Sequence, residues 1–297
     1  MRLHYGTKDR VTLLLFLIPA LLIIGVSQGY PLVYSLYVSF IDWSLAKSPV
    51  PQGSFSFDQY TKLLQDDLFR SSVLRSLQFM AFTTVITLIA GFLMALLLVG
   101  GGRWIRLSRT LLMLPMAIAP IAVGTIWRLM LNSQSGLLNA FLGLLNIKGP
   151  EWLGNPDAVM WAVIMAGCWA WIPFVMIIYV AAISSIDPSL KESAQIDGAG
   201  RIEIVSKIIV PLVMPSTILI LMMVVIDTFF VVDFVYSLTN GGPGTSTYMA
   251  SLYVYFQGFK YFNISYASAS SWLLMIISFL YAAILLKWKK HTESRLY

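Results

Sequence analysis

Residues 192–199, Glu192-Ser193-Ala194-Gln195-Ile196-Asp197-Gly198-Ala199, form a polar island between two long apolar runs at residues 159–183 and 212–238. A polar segment of this length cannot lie in hydrocarbon, where its backbone and side chains would lose their hydrogen bonds to water. The sequence therefore predicts a loop on one side of a membrane, with a membrane span before it and another after it.

The loop has the chemistry of two short helices joined by a turn. Asp187 is suited to cap the first helix, and Pro188 is suited to its first position. Gly198 can adopt a positive φ, which predicts that the first helix ends there. A second helix is predicted over residues 199–210, up to Pro211.

The composition is that of a polytopic membrane protein. The chain has 297 residues, of which 58% are hydrophobic, and its mean hydropathy of +0.78 is far above that of soluble domains. The net charge of +6 lies between apolar runs, so lipid topology explains it and no nucleic-acid partner is predicted. Cys168 is the single cysteine, and His4 and His291 lie in opposite tails, so neither a disulfide nor a metal site is predicted.

Six membrane spans are predicted, which gives an all-α polytopic fold. The spans cover about residues 11–41, 77–100, 111–131, 158–183, 212–238 and 266–288. Gln28 and Pro31 predict a kink in the first span or an early exit near Tyr30. Pro115 and Pro120 interrupt the third span.

The segments between the spans carry their own signals. Residues 57–69 have apolar side chains at helical spacing, which predicts an interfacial helix. Residues 103–109, with three arginines, are predicted to form a short basic loop, and residues 137–144 are suited to an amphipathic segment. No GxxxxGK[ST] motif occurs, so the chain is not predicted to bind ATP by a P-loop of its own. No other cofactor bound by this chain is predicted.

The distribution of basic residues predicts the orientation. Thirteen of the twenty Lys and Arg residues lie in the N-terminal tail (1–10), the 102–110 and 184–211 loops, and the C-terminal end with its tail (289–297). Six lie in the longer loops on the other side. Because cytoplasmic loops carry the excess of positive charge, both tails and the 184–211 loop are predicted to be cytoplasmic.

The 184–211 loop resembles the cytoplasmic coupling loop, or EAA motif, of ABC importer permeases. The resemblance is carried by Glu192-x-Ala194-x-x-Asp197-Gly198-Ala199, followed by Ile208 and Pro211. Ser193 replaces the usual alanine, and Val205 replaces the usual phenylalanine. The resemblance implies a type I importer permease fold and a loop that docks on a separate ATP-hydrolysing subunit. The coupling residues that it implies are Glu192, Ala194, Asp197, Gly198, Ala199 and Arg201.

A second segment, Asp233-Phe234-Val235-Tyr236-Ser237-Leu238-Thr239-Asn240-Gly241-Gly242-Pro243, resembles the end of the fifth core span in carbohydrate-type permeases, the branch that includes maltose and glycerol-phosphate uptake. The resemblance implies that Asp233 and Phe234 line a substrate cavity. A carboxylate in hydrocarbon costs at least ~2.5–3.5 kcal/mol, so Asp233 should face a cavity or a partner. Phe230 and Ser237, three and four residues away, are predicted to flank it on one helix face.

Asp227 lies six residues before Asp233 and is predicted to point to a different helix face. Three roles stay open: a substrate contact, an interhelical hydrogen bond or ion pair, and pairing of Asp227 or Asp233 with Arg128. A set of aromatic residues is interpreted as marking membrane interfaces and helix packing rather than a sugar site. This set comprises Trp161, Trp169, Trp171 and Tyr253.

The turn Asn240-Gly241-Gly242-Pro243 follows the fifth predicted span on the outer side. A turn that only ends the span and a turn that contacts an external binding protein both fit these residues. The sequence favours a mixture of the two roles.

These observations lead to the hypothesis of one half of an ATP-driven, binding-protein-dependent importer for a sugar or sugar-like solute, in a bacterial inner membrane. The implied partners are a second homologous permease, two ATPase subunits that use ATP and Mg²⁺, and an extracytoplasmic solute-binding protein. A stand-alone secondary transporter is the alternative, although the six spans show no clear halving. A membrane-embedded enzyme is a further alternative, but no span contains a histidine and no catalytic cluster is evident.

Overall fold

The computed structural model describes the backbone of residues 7–296 and the side chains of residues 16–289. The described chain is helical without strands, which confirms the predicted all-α class. Five helices within it are long and apolar enough to cross a membrane: Phe16–Ser39, Asp67–Leu98, Pro156–Ser184, Arg201–Phe229 and Ile264–Lys289. A bent pair, Arg103–Ala117 and Pro120–Met130, would make a sixth span if the two halves are counted as one. Residues 1–6 of the predicted N-terminal tail and residue 297 lie outside the described residues.

The chain forms two compact units. The first comprises the chain up to Asp66 together with Val254–Leu273. The second comprises Asp67–Tyr253 and the chain from Leu274 onward. The 184–211 loop and the residues predicted to contact substrate all belong to the second unit.

The first unit begins with a long helix that contains a wide turn. Helix α1 (Thr7–Ile24) continues through a π turn at Gly25–Gly29 into α2 (Tyr30–Ser39), so the predicted early exit near Tyr30 does not occur. Tyr30 donates its N–H to the carbonyl of Gly25, five residues back. Pro31 explains the wide turn, because its ring would clash with the carbonyl four residues before it in a regular helix.

The predicted interfacial helix over residues 57–69 is divided at Asp66. Helix α3 (Asp58–Gln65) buries Leu63, and the backbone of the next residue, Asp66, is extended. Helix α4 (Asp67–Leu98) then begins. In the first unit, hydrogen bonds between Trp43 and Ser265 connect the loop after α2 to the start of the last helix. The Trp43 N–H donates to the Ser265 hydroxyl at 2.9 Å, and the Ser265 N–H donates to the Trp43 carbonyl at 3.1 Å.

The core of the second unit is the crossing of α4 with α8 (Pro156–Ser184). Two glycines allow the helices to approach closely. A Cβ atom on Gly91 would lie 2.6 Å from Cγ1 of Val175, and a Cβ atom on Gly167 would lie 2.9 Å from Cζ of Phe79. Small residues at helix crossings are typical of membrane proteins, because dispersion contacts must hold the helices together.

The segment predicted as a short basic loop is helical. Helix α5 (Arg103–Leu112) is followed by a 3₁₀ turn at Leu114–Ala117 and by α6 (Pro120–Met130), with a bend of 99° between the two halves. Pro120 occupies the first turn of α6, where a missing N–H is tolerated. Helix α7 (Leu137–Leu144) then forms where the amphipathic segment was predicted.

The fifth predicted span is broken. The chain continues from α9 (Pro188–Ile196) through α10 (Arg201–Ile204) and a π turn at Val205–Ile209 into α11 (Val210–Phe229). Three residues separate the end of α11 from the start of α12 (Asp233–Leu238). The carbonyl of Val231, in the break, accepts a hydrogen bond from the Ser251 hydroxyl at 2.5 Å. The chain continues through α13 (Ala250–Tyr255), a π turn at Phe256–Lys260 and α14 (Ile264–Leu296).

Candidate functional site

The first helix of the 184–211 loop starts as its sequence predicts. The Asp187 carboxylate accepts a hydrogen bond from the Ser189 N–H at 2.9 Å, and Pro188 occupies the first helical turn. This hydrogen bond holds the pKa of Asp187 below its ordinary value. Asp187 is therefore a charged N-cap that fixes the start of α9.

The end of α9 is a Schellman turn. Gly198 has a φ of +83°, its N–H donates to the Gln195 carbonyl at 3.1 Å, and the Ala199 N–H donates to the Ala194 carbonyl at 2.9 Å. This pair of hydrogen bonds is the pattern that a glycine after the helix end permits. The Schellman turn therefore accounts for the glycine at position 198, and its hydrogen bonds join the alanines at positions 194 and 199.

The inner face of the loop is made of these alanines. Ala194 and Ala199 pack against a buried cluster, here called the loop core, which is formed mainly by residues of α4, α8, α10, the π turn at Val205–Ile209 and α11. The loop core includes Ala95, Tyr179, Ile183, Ile186, Ile204 and Ile209. Because both alanines are small, α9 and the turn lie close to the ends of these long helices.

The outer face of the loop is exposed and partly apolar. Ile196 is 86% exposed and Ile202 is 83% exposed, on either side of the Gly198 turn. Glu192, Asp197 and Arg201 are exposed as well. The sequence indicates only the charged members of this face, because nothing in the sequence marks an isoleucine of a polar loop as exposed.

The loop also borders a cavity of about 430 Å³. Glu192 and Lys191 line it from α9, and Arg109 lines it from α5. Arg109 donates to the carbonyls of Leu98 and Gly100 at the end of α4. Its guanidinium thus satisfies carbonyls that the helix end leaves without partners.

The second half of the loop is stabilised by Glu203. Its carboxylate accepts a hydrogen bond from the Gly200 N–H at 3.1 Å and pairs with Lys207 at 2.9 Å. The π turn at Val205–Ile209 then leads into α11, where Pro211 occupies the first turn. The loop therefore enters α11 without a break in the helix.

A larger cavity of about 590 Å³ lies among the helices of the second unit. Its wall is mainly apolar, and among the described side chains Asp227 is the one acidic residue that lines it. The wall comprises Pro115, Met116, Ile118, Pro120, Val123, Ala170, Trp171, Phe174, Met223, Ile226, Asp227, Val231 and Phe234. The volume lies within the range of small-molecule sites.

The structure separates the predicted substrate residues. Phe234 lines the cavity, is 4% exposed, and its ring lies 5.8 Å from that of Phe79. Asp233, by contrast, is exposed at the start of α12 and does not line the cavity. Asp227 takes the lining position, and Trp171, interpreted from sequence as an interface or packing residue, faces the cavity as well.

The predicted single face of Phe230, Asp233 and Ser237 is wrong, because the helix is interrupted between Phe230 and Asp233. The Ser237 hydroxyl donates within α12, to the carbonyls of Asp233 and Phe234 at 3.1 Å. Arg128 is exposed and forms no ion pair with Asp227 or Asp233 among the described side chains.

Helix α12 is held against α6 at a glycine. A Cβ atom on Gly124 would collide with the Phe234 carbonyl and the Ser237 hydroxyl, and would lie 3.1 Å from the Leu238 nitrogen. The close approach at Gly124 therefore sets where α12, and with it Phe234, meets the cavity.

The turn after α12 is closed by two threonines. The hydroxyls of Thr239 and Thr247 lie 2.7 Å apart, and Asn240 and Gly241 both have positive φ values. Gly241 is buried, and a Cβ atom there would lie 2.7 Å from the Tyr248 ring. Gly242 and Pro243, joined by a cis peptide bond, are partly exposed. The turn is thus largely a packed structural element.

Comparison with known proteins gives a consistent result. Residues 69–295 match the family described as "Binding-protein-dependent transport system inner membrane component". The chain is 31% identical, over 97% of its length and 99% of the relative's, to the probable ABC transporter permease protein PH1215 of Pyrococcus horikoshii. It is 30% identical, over 80% of its length and 81% of the relative's, to the trehalose/maltose transport system permease protein MalF of Thermococcus litoralis.

A solved structure shares the fold. A chain of the bacterial alginate ABC transporter, crystallised with a periplasmic protein that holds an alginate pentasaccharide, superimposes with a TM-score of 0.81 at 21% identity. The match covers all of this chain and 98% of the other. The apolar helices and the capped, alanine-lined loop of this chain agree with these relatives. The chain therefore belongs to the family of binding-protein-dependent transport system inner membrane components, and it is an ABC transporter permease subunit rather than an enzyme.

Proposed function

We propose that the chain forms one half of the translocation pathway of an ATP-driven importer for a sugar or sugar-like solute. The observation that carries the proposal is the connection between the loop and the cavity. The loop joins α8 to α11, and each of these helices contributes three residues to the cavity wall. A displacement of α9 would therefore act on the cavity through the loop core and two long helices.

The chemistry of the cavity supports a sugar-like solute. Asp227 offers a carboxylate to hydroxyl groups, and Trp171, Phe174 and Phe234 offer aromatic surface to the apolar faces of a ring. The named relative from Thermococcus litoralis is a trehalose/maltose permease, and the solved relative imports alginate. Asp233 and Phe230 do not line this cavity, and we propose that they contact the solute elsewhere along the translocation pathway.

The partners follow from the surfaces of the chain. We infer that an ATP-hydrolysing subunit docks on the outer face of the loop, where Glu192, Ile196, Arg201 and Ile202 are exposed. Two such subunits, using ATP and Mg²⁺, would serve this chain and a second homologous permease. An extracytoplasmic binding protein would deliver the solute near the Asn240–Pro243 turn. The excess of basic residues supports cytoplasmic termini in a bacterial inner membrane.

The test is co-purification with the ATP-hydrolysing subunit from the same source in mild detergent. Replacing Ile196 and Ile202 with aspartate should abolish association while the chain still inserts and folds. Ile147→Asp is the matched control, because Ile147 is an exposed isoleucine outside the loop. A wild-type chain that folds but binds no ATPase, and supports uptake without ATP, would favour the stand-alone transporter instead.

A further inference from the structure

The surface of α5 has no role in the proposed transport cycle. Arg103, Trp104, Arg106, Leu107 and Thr110 line an open cavity of about 720 Å³ on this helix. Trp104 is 78% exposed, and Arg103, Arg106 and Leu107 are exposed as well. We call these five residues the α5 surface.

The helix carries an apolar stripe beside its charges. Trp104, Leu107 and Leu111 follow one another at intervals of three and four residues, so they lie on one side of the helix, and all three are exposed. Arg103 and Arg106 lie next to this stripe. A helix with tryptophan and leucine on one side and arginine beside them is typical of segments that lie in a membrane interface.

The arginines of α5 differ in their partners. Arg109 donates to the carbonyls at the end of α4, as described above. Arg103 and Arg106 take part in no ion pair among the side chains of residues 16–289. The sequence contains no Asp or Glu between Asp67 and Glu151, so no acidic residue near in sequence balances these two charges.

The direction of α5 fits a position at the membrane surface. Helix α4, a candidate span, ends at Leu98, and α5 begins at Arg103. The 99° bend between Arg103–Ala117 and Pro120–Met130 turns α5 across the direction of α6. Because α4 is a candidate span that ends at Leu98, α5 begins where a membrane surface would lie, and the bend turns it away from the direction of α6.

We propose that the α5 surface binds the headgroup phosphate of an anionic phospholipid between Arg103 and Arg106, with Trp104 and Leu107 in the acyl boundary. Guanidinium groups bind phosphate oxygens through paired, charge-assisted hydrogen bonds, and their charge favours an anionic leaflet. This lipid site goes beyond the transport function and does not depend on which solute is carried.

The experiment measures fluorescence quenching of Trp104 by brominated lipids around the full chain in nanodiscs. The signal of Trp104 is the difference between the wild type and Trp104→Phe. Brominated phosphatidylglycerol should quench it at a far lower mole fraction than brominated phosphatidylcholine. Since each arginine near an anionic surface contributes about fivefold in affinity, the double variant Arg103→Gln/Arg106→Gln should lose about 25-fold of this preference.

Two further variants make the result specific. Arg103→Lys/Arg106→Lys keeps the charge and should retain part of the preference. Lys47→Gln/Lys62→Gln removes two exposed charges elsewhere and should leave the preference unchanged. The proposal is overturned if both lipids quench Trp104 equally in the wild type, or if inorganic phosphate abolishes the preference, which would show a site for a free anion.

Discussion

Ala199 donates its backbone N–H to the carbonyl of Ala194 at 2.9 Å, across a turn in which Gly198 has a φ of +83°. The bond holds both alanines against the loop core. A side chain at Gly198 would disfavour this conformation by about 1–2 kcal/mol. We therefore predict that Gly198→Val lowers ATP-driven uptake about five- to thirtyfold. Uptake by proteoliposomes of the assembled transporter measures the change.

The control for this prediction is the glycine two residues later. Gly200 has a φ of −73°, and a Cβ atom there would meet open space. Gly200→Ala should therefore leave uptake and membrane insertion close to those of the wild type. Equal losses in the two variants would show that flexibility of the loop, rather than the conformation of Gly198, matters.

Local features of the site were predictable from sequence. The cap at Asp187 and the turn at Gly198 depend on residues within a few positions, and the structure has both. The long apolar runs likewise gave the helices that flank the loop, because a continuous apolar run of this length has few alternatives to a membrane helix.

Features that depend on distant residues were not predictable. Helix α11 ends before Asp233, where the Val231 carbonyl is bonded by Ser251, twenty residues later in the chain. Asp233 lies after this break, and Asp227, before the break, is the aspartate that lines the cavity. The helical character of residues 103–109 was also missed, because three arginines in seven residues are equally compatible with a loop.

The contact between α6 and α12 at Gly124 gives a prediction about stability. A methyl group at this position would collide with the backbone of α12, which cannot yield as a flexible side chain can. Gly124→Ala should therefore lower the free energy of unfolding by about 1–3 kcal/mol. Thermal unfolding of the chain in detergent measures this change.

A second glycine in a helix provides the comparison. Gly143 lies in α7, and a Cβ atom there would have no neighbour within 4 Å. Gly143→Ala should stabilise the chain by about 0.4–1 kcal/mol, because alanine restricts the unfolded chain more than glycine does. If Gly124→Ala is equally harmless, the close approach of α6 and α12 is not required.

The two aspartates of the fifth predicted span should differ in function. Asp227 lines the cavity, whereas Asp233 does not. A hydrogen bond to a charged group contributes about 1.5–3 kcal/mol, so Asp227→Asn should weaken solute binding about ten- to hundredfold. Asp233→Asn should change it little. Calorimetric titration of the purified transporter, with the solute that it takes up, tests both variants, and the reverse order would assign the site to Asp233.

The cap at Asp187 predicts how α9 responds to acid. The Ser189 N–H lowers the pKa of Asp187 in the folded chain, so the stabilisation by the charged cap is complete above the ordinary carboxyl pKa of about 3.9. It is lost as the pH falls through the lowered, folded value. Hydrogen exchange of the α9 amides, corrected for intrinsic rates, should therefore accelerate only in strong acid. Asp187→Asn keeps an oxygen acceptor without the titrating charge and should remove this acceleration, whereas acceleration of the wild type at mildly acidic pH would contradict the assigned cap.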